Sequence, residues 1–473
     1  MGAVGASTRR RRMAEQERTT GPPTTDAGEF ATPDSETPEG KRTLRKAIGA
    51  SAIGNGVEWF DYSIYGLMVV YISSIFFPGD QATVWALGTF AVSFLVRPFG
   101  GFFWGPLGDK IGRKSVLAMT ILLMAGSTFC IGLLPTYDAA GFLAPALLVL
   151  LRLIQGFSAG GEYGGAATFM AEYSPDRKRG FYVSFLEFGT LAGFALGSLV
   201  ALLCQLIIGA EAMADWGWRI PFLIAGPMGA VGWYLRKKLE DTPVFREAES
   251  KGETESKAGV ALKDLLTKYW RPILSMSGLV IALNVVNYTF LQYMPTYLQV
   301  TIDMDADATF TLLLIGQVVL MALIPFFGAL SDRVGRKPLW WFSLIGLFVL
   351  AVPMYMLMGL GFGFALLAFA VLGLLYLPQL ATISAMFPSL FPTHVRFAGF
   401  AITYNVATAL FGGTAPVVNG ALVESTGNNL VPAMYMMGAC VIGALALIKT
   451  PETAGLSLRG RNTPGSKVAA EAA

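Results

Sequence analysis

Twelve separate stretches of about 20 predominantly apolar residues recur along this chain. They lie near 48–76, 84–107, 115–134, 143–170, 181–208 and 218–236, then near 271–299, 309–330, 338–358, 362–388, 397–423 and 430–448. Repetition at that length leaves few folds open. In lipid every backbone N–H and C=O must be satisfied within the segment, so such stretches cross as helices. The expected class is an all-α integral membrane protein with twelve transmembrane helices. Composition agrees: only 14% of residues are charged and 54% are hydrophobic, against about 25% charged in a soluble domain. The three cysteines, Cys130, Cys204 and Cys440, all fall inside apolar runs, which argues against a disulfide framework, and no metal-ligand spacing occurs.

The basic residues orient the bundle. One set of loops holds Lys110, Arg113 and Lys114, then Arg177, Lys178 and Arg179, then Arg236, Lys237 and Lys238, and later Arg333, Arg336, Lys337 and Arg396. The alternate loops hold Asp80, Asp138, Glu211, Asp215, Asp303, Asp305, Asp307 and Glu424. By the positive-inside rule both termini are cytoplasmic. The expected organisation is a disordered cytoplasmic tail at 1–43, a six-helix bundle at 44–236, a cytoplasmic linker at 237–270, a second six-helix bundle at 271–450 and a tail at 451–473. The polar first forty residues, with Arg9 to Arg12, lack the apolar segment of a signal peptide.

An internal repeat relates the two bundles. Gly105-Pro106-Leu107-Gly108-Asp109-Lys110-Ile111-Gly112-Arg113-Lys114 recurs as Gly328-Ala329-Leu330-Ser331-Asp332-Arg333-Val334-Gly335-Arg336-Lys337, each copy between the second and third helix of its half. Glycine permits a tight turn, and Asp beside basic residues at a helix end builds a charge cluster. Gly105, Asp109, Gly112, Arg113, Gly328, Asp332, Gly335 and Arg336 are the expected gating residues, since duplicated halves are an architecture of alternating-access transporters.

This repeated pattern resembles the signature loop of the major facilitator superfamily. Gly54-Asn55-Gly56-Val57-Glu58-Trp59-Phe60-Asp61, Arg97-Pro98-Phe99-Gly100-Gly101 and Gln155-Gly156-Phe157-Ser158-Ala159-Gly160-Gly161-Glu162-Tyr163 resemble its metabolite:proton symporter subfamily. The stretch Phe129 to Phe245 is most similar to bacterial proline/glycine-betaine proton symporters. The resemblance spans about residues 44–453 and implies two pseudo-symmetric six-helix bundles, proton-coupled import of a solute by alternating access, and residence in the plasma membrane.

Ionisable residues inside the spans are the functional candidates, because each costs about 2.5–3.5 kcal/mol at a helix centre. They are Glu58 and Asp61 in the first span, Arg97 in the second, Arg152 and Glu162 in the fourth and Glu187 in the fifth, all in the N-terminal half. At about 100° per residue, Asn55, Glu58, Tyr62 and Tyr65 share one face of the first helix with Asp61 at its edge, while Arg152, Gln155, Ala159, Glu162 and Tyr163 share a face of the fourth. Four carboxylates against two arginines leave a surplus of two negative charges, so at least one acid takes up a proton during the cycle. The expected coupling site is Asp61 or Glu58 paired with Arg152, whose spacing to Gln155-Gly156 also resembles a superfamily motif.

The expected substrate contacts are Asn55, Trp59, Tyr62, Tyr65, Arg97, Gln155, Glu162, Tyr163 and Glu187, with Asn284, Asn287, Tyr288, Gln292 and Tyr404 from the C-terminal half. Aromatic faces attract quaternary ammonium groups, and an arginine receives a carboxylate, so a small zwitterion such as proline or glycine betaine suits the inventory. A carboxylate such as a ketoacid, citrate or shikimate is the second reading, and a passive facilitator or non-transporting sensor the third. The expected partners are the solute, protons and the lipid bilayer. No nucleic acid, cofactor, metal or enzymatic activity is expected.

Overall fold

The computed structural model describes residues 38–111, 113–160, 162–238, 267–456 and 458. They divide into a short N-terminal unit ending at Leu44 and a body from Arg45 onward. Most of the expected 1–43 tail, most of the 237–270 linker and the end of the 451–473 tail lie outside the described residues, as do Gly112 and the side chains of Asp109, Arg113, Glu162, Tyr163 and His394. Gly105 is described only as backbone, within a helix.

All regular structure among the described residues is helical. The N-terminal half comprises α1 (Pro38–Leu67), α2 (Val69–Phe76), α3 (Ala82–Ile111), α4 (Arg113–Ile131), α5 (Leu143–Ala159), α6 (Glu162–Tyr173), α7 (Arg179–Ile208) and α8 (Arg219–Lys238). The C-terminal half comprises α9 (Trp270–Asn287), α10 (Ala306–Val334), α11 (Arg336–Met358), α12 (Phe362–Met386), α13 (Thr393–Ala407), α14 (Ala415–Thr426) and α15 (Val431–Ile448). Eight helical segments among the described residues are each long and apolar enough to span a bilayer. The pair α1–α2 makes a ninth, and Ala118–Ile131 and Leu143–Ala159 are apolar but shorter.

Four expected spans are not single straight α-helices. The first bends by 57° between α1 and α2. At the bend Met68 leaves the helical conformation, at φ −93° and ψ 3°, and earlier in α1 Gln292 Nε2 donates to the Tyr62 carbonyl at 2.8 Å. The fourth span is divided between α5, which ends at Ala159, and α6, which begins at Glu162, rather than running through 143–170 as one helix. The seventh passes from α9 into a π-turn at Tyr288–Gln292, and the eleventh from α13 into one at Thr408–Gly412. Such turns concentrate at functional sites.

The halves are related by pseudo-symmetry, and their packing shows it. The most extensive helix pair is α7 with α10, and α3 packs on the Thr408–Gly412 turn and α14. In span order these are five against eight and eleven against two, the two contacts that a shift of six exchanges. Glycine makes the first possible. A Cβ added to Gly328 would lie 2.6 Å from the Gly180 carbonyl oxygen, so the two backbones touch directly.

The repeated motif is mostly helix. In the second copy only Gly335 lies between helices, at φ +101°, a conformation that glycine adopts at no steric cost. Asp332 sits in the last turn of α10 and accepts hydrogen bonds from the Gly180 and Phe181 amides at 2.8 and 2.9 Å. It therefore caps the start of α7 in the opposite half, where a negative charge is favoured. Arg336 is fully buried and donates to Ala385 O, Thr453 O and Thr453 Oγ1 at 2.9–3.0 Å.

The segment after α15 straps this end of the bundle. Arg179 of α7 donates to Leu456 O at 2.8 Å, and Arg396 of α13 donates to Leu458 O at 3.0 Å and to Glu172 of α6 at 2.7 Å. Glu452 accepts the amides of Arg336, Lys337, Thr453 and Ala454 at 2.7–3.1 Å. Partial burial pushes its carboxyl up, but those four donors outweigh burial and hold it below the usual glutamate range. A depressed folded-state value means the tie contributes fully above the ordinary glutamate range and is lost as pH falls through the depressed one. Glu452→Gln should therefore lower the thermal unfolding midpoint of the detergent-solubilised protein at neutral pH by a few degrees. The gap to the parent protein should close as the medium is acidified below the glutamate range.

Candidate functional site

Four N-half helices converge on a cluster of charged and aromatic side chains that is shut off from solvent. Glu58, Asp61, Tyr62 and Tyr65 come from α1, Arg97 from α3, Thr128 from α4, and Arg152 and Gln155 from α5. Their exposures run from 0% at Arg152 to 5% at Arg97. The clustering follows from the energetics of burial, since charge inside an apolar bundle must be paired, hydrogen-bonded or neutralised.

Arg97 meets that demand most fully. Its Nη2 lies 3.3 Å from Glu58 Oε1 and donates to the Tyr62 hydroxyl at 2.5 Å. Its guanidinium stands 4.4 Å from the Phe94 ring centroid and 4.8 Å from that of Tyr62, cation–π contacts worth about 2 kcal/mol each when desolvated. Its Nε remains without a partner.

Arg152 differs from the sequence expectation. It was expected to pair with Asp61 or Glu58, but its Nη1 donates to Gln155 Oε1 at 2.6 Å and its Nη2 to Ser93 Oγ at 3.3 Å, with the guanidinium 4.1 Å from the Tyr65 ring. Glu58 is paired with Arg97 instead. Asp61 lies within electrostatic reach of Arg152 and Glu58, with Thr128 alongside, yet both its oxygens lack a hydrogen-bond partner while it is 1% exposed. An ionised carboxylate without partners is expensive in such a place. Gln155 donates onward to the Thr128 hydroxyl.

The C half closes over this cluster with aromatic and amide groups. Tyr288 packs 5.2 Å from Phe94 and 6.1 Å from Trp59, centroid to centroid. Asn284 Nδ2 donates to Thr408 Oγ1 at 2.7 Å and joins the two π-turned spans. Asn287 is buried with its amide oxygen unpartnered, and Tyr404 is buried against Phe400. Asn55 stands apart from Arg97: its Nδ2 donates to Leu186 O at 2.8 Å and Thr190 Oγ1 at 2.7 Å on α7. Tyr65 donates to Ala86 O at 2.8 Å, while its ring lies beneath Arg152. Among the described residues no group of acidic, His and Cys side chains is arranged to hold a metal.

Sequence reasoning missed Phe90, Ser93 and Phe94. With Arg97 they fall at the i, i+3, i+4, i+7 spacing of a single helix face, a signal present in the sequence.

A family model of the Major Facilitator Superfamily matches residues 51–416. The chain belongs to that superfamily. It is 43% identical over 442 residues to the proline/betaine transporter of Escherichia coli, covering 90% of this chain and 87% of the relative. It is also 43% identical over 439 residues to the glycine betaine/proline/ectoine/pipecolic acid transporter OusA of Dickeya dadantii, at 91% and 87% coverage. The ectoine/proline transporter ProP of Corynebacterium glutamicum is 39% identical over 434 residues, at 89% and 86%. Among solved structures, a partially occluded inward-open conformation of the xylose transporter XylE from E. coli superposes with a TM-score of 0.69 at 17% identity, covering 89% of this chain and 99% of that one. The chain is thus a multi-pass membrane transporter and not an enzyme, and the likeness to XylE shows the shared twelve-helix fold.

The Arg97–Glu58 pair predicts an asymmetric stability pattern. Removing one partner strands a buried charge, so Arg97→Met should destabilise the protein by about 3–5 kcal/mol. The double variant Arg97→Met/Glu58→Gln should recover most of that loss in thermal melts of the purified protein.

Proposed function

We propose that this transporter is a proton-coupled symporter importing a small zwitterionic solute such as proline or glycine betaine. The reading is supported by relatives named for proline, betaine and ectoine at 39–43% identity over most of the chain, and by the central chemistry. Asp61 is the coupling acid. The observation that carries this role is its sealed carboxyl, with two unpartnered oxygens beside Arg152.

In the closed arrangement Asp61 holds a proton and Arg152 rests on Gln155, Ser93 and the Tyr65 ring. When the bundle opens towards the lower proton concentration, Asp61 loses the proton, and the nearby guanidinium is the natural counter-charge for the anion it leaves. Reprotonation frees Arg152 again and lets the lobes close. Glu58 stays neutralised by Arg97 throughout. The orphan Nε of Arg97 and the Trp59, Tyr62 and Tyr288 rings form the side of the site that receives the solute, its carboxylate towards the arginine. Glu162 and Tyr163 belong to the same proposal as contacts beyond the break in the fourth span.

The orientation and organisation are also part of the reading. The basic end, with its Asp332 cap and C-terminal strap, faces the cytoplasm, together with both termini, the 1–43 and 451–473 tails and the 237–270 linker between bundles 44–236 and 271–450. The protein resides in the plasma membrane. Gly105, Asp109, Gly112 and Arg113 act as the first-repeat counterpart of the gate that Gly328, Asp332, Gly335 and Arg336 form.

Proteoliposomes test this directly. Labelled proline or glycine betaine should accumulate when an inward proton gradient is imposed, with matching internal acidification, and excess betaine should compete with proline while ketoglutarate does not. Asp61→Asn should abolish accumulation, yet retain exchange of internal for external solute at equal pH on both sides. Normal accumulation by Asp61→Asn would remove the coupling assignment. Uptake that ignores the proton gradient in the parent protein would replace symport with passive facilitation.

A further inference from the structure

One buried carboxylate has no part in the coupling scheme. Glu187 of α7 is 1% exposed and lies on the seam between the halves. Its Oε1 accepts from Ser384 Oγ of α12 at 3.4 Å, and its Oε2 from Thr190 Oγ1 of its own helix at 3.0 Å. Thr190 in turn receives Asn55 Nδ2 of α1. The carboxylate is thus held from the N half through Thr190 and touched from the C half by the Ser384 hydroxyl.

The C-half wall facing it carries unspent polar capacity. Tyr376, about two turns before Ser384 on α12, is 1% exposed, and its hydroxyl meets no hydrogen-bond partner. That hydroxyl lies within electrostatic reach of Glu187, Tyr404 and Tyr288. Tyr288 lies within reach of Tyr404, Tyr62, Arg97 and Glu58. Buried polar atoms left unsatisfied in a well-packed protein call for an explanation. A carboxylate, aromatic rings and a phenol oxygen lacking a donor make one kind of environment, that of a cation with N–H or methyl groups to offer.

Resting on the symporter reading, we infer that Glu187, with Tyr376 and Ser384, forms the subsite for the positively charged nitrogen of the transported zwitterion. The subsite is built from both halves. A cation seated against Glu187 is enclosed by α12 only when the lobes approach, so solute binding favours closure through an interaction made in that state. The same carboxylate repels a purely anionic solute, which places zwitterion selectivity at α7 rather than at Arg97.

Exchange kinetics test the assignment apart from proton coupling. In proteoliposomes with equal pH on both sides, Glu187→Gln should raise the KM for proline exchange at least about tenfold, the scale of losing a hydrogen bond to a charged group. Glu187→Asp should fall between it and the parent. The parent protein should favour proline over N-acetylproline, which lacks the positive nitrogen, as a competitor, and Glu187→Gln should narrow that preference. An unchanged KM in Glu187→Gln, with or without loss of accumulation, overturns the inference and leaves Glu187 a proton site or a packing residue. If Glu187→Gln fails to insert, Glu187→Asp carries the same readout, and an unchanged KM there overturns the inference equally. Absence of zwitterion exchange in the parent protein would sink the symporter reading itself, an outcome distinct from normal parental exchange with an unaffected variant.

Discussion

Ionised groups inside a lipid-enclosed bundle must find partners or lose their charge, and the centre of this transporter is organised around that constraint. Arg97 satisfies it by converging three elements of its surroundings on one guanidinium: the Glu58 carboxylate at 3.3 Å, the Tyr62 hydroxyl and the Phe94 ring. Arg152 satisfies it without a carboxylate, through Gln155, Ser93 and the Tyr65 ring. Asp61 is left beside them with no donor to either oxygen. A static network would pair every member. Here one acid is buried beside an arginine that is hydrogen-bonded elsewhere, the arrangement on which the proposed coupling role of Asp61 rests.

The ends of the bundle are governed by backbone chemistry more than by ion pairs. Asp332 caps α7 from the opposite lobe through two amides, Gly328 and Gly180 bring the two backbones into contact, and Asn405 Nδ2 donates to Gly160 O at 3.3 Å across the seam. The C-terminal strap takes donors from Arg179 of one half and from Arg336 and Arg396 of the other. Amide and carbonyl groups at helix ends need partners, from protein or from water, and here the opposite half and the strap supply them.

Much of the fold was legible because bilayer thickness imposes a length on every crossing. The edges of α7, α10, α12 and α15 fall within a few residues of the apolar runs, and the repeat of Gly105–Lys114 at Gly328–Lys337 announced two related halves. The misreadings have local causes. The first span bends at Met68, inside an apolar run that sets length but not straightness. The fourth span is divided between α5 and α6, a boundary that its continuous apolar run does not announce. Asn55 shares a face with Glu58 by periodicity, but its amide is committed to α7.

Sequence by itself determined that the chain is membrane-embedded, all-helical, duplicated, and charged inside the bilayer only in its first half, because each of those properties is written in local composition, periodicity and spacing. It also nominated Glu58, Asp61, Arg97, Arg152 and Glu187 as the groups that matter. Tertiary structure decided which of them pair. Arg97 and not Arg152 holds Glu58, Asp61 is left unpartnered, and Glu187 faces Ser384 from the other half. Those choices turn on how far apart α1, α3, α5, α7 and α12 stand and how they are rotated, and a distance between helices has no counterpart in the order of residues along one.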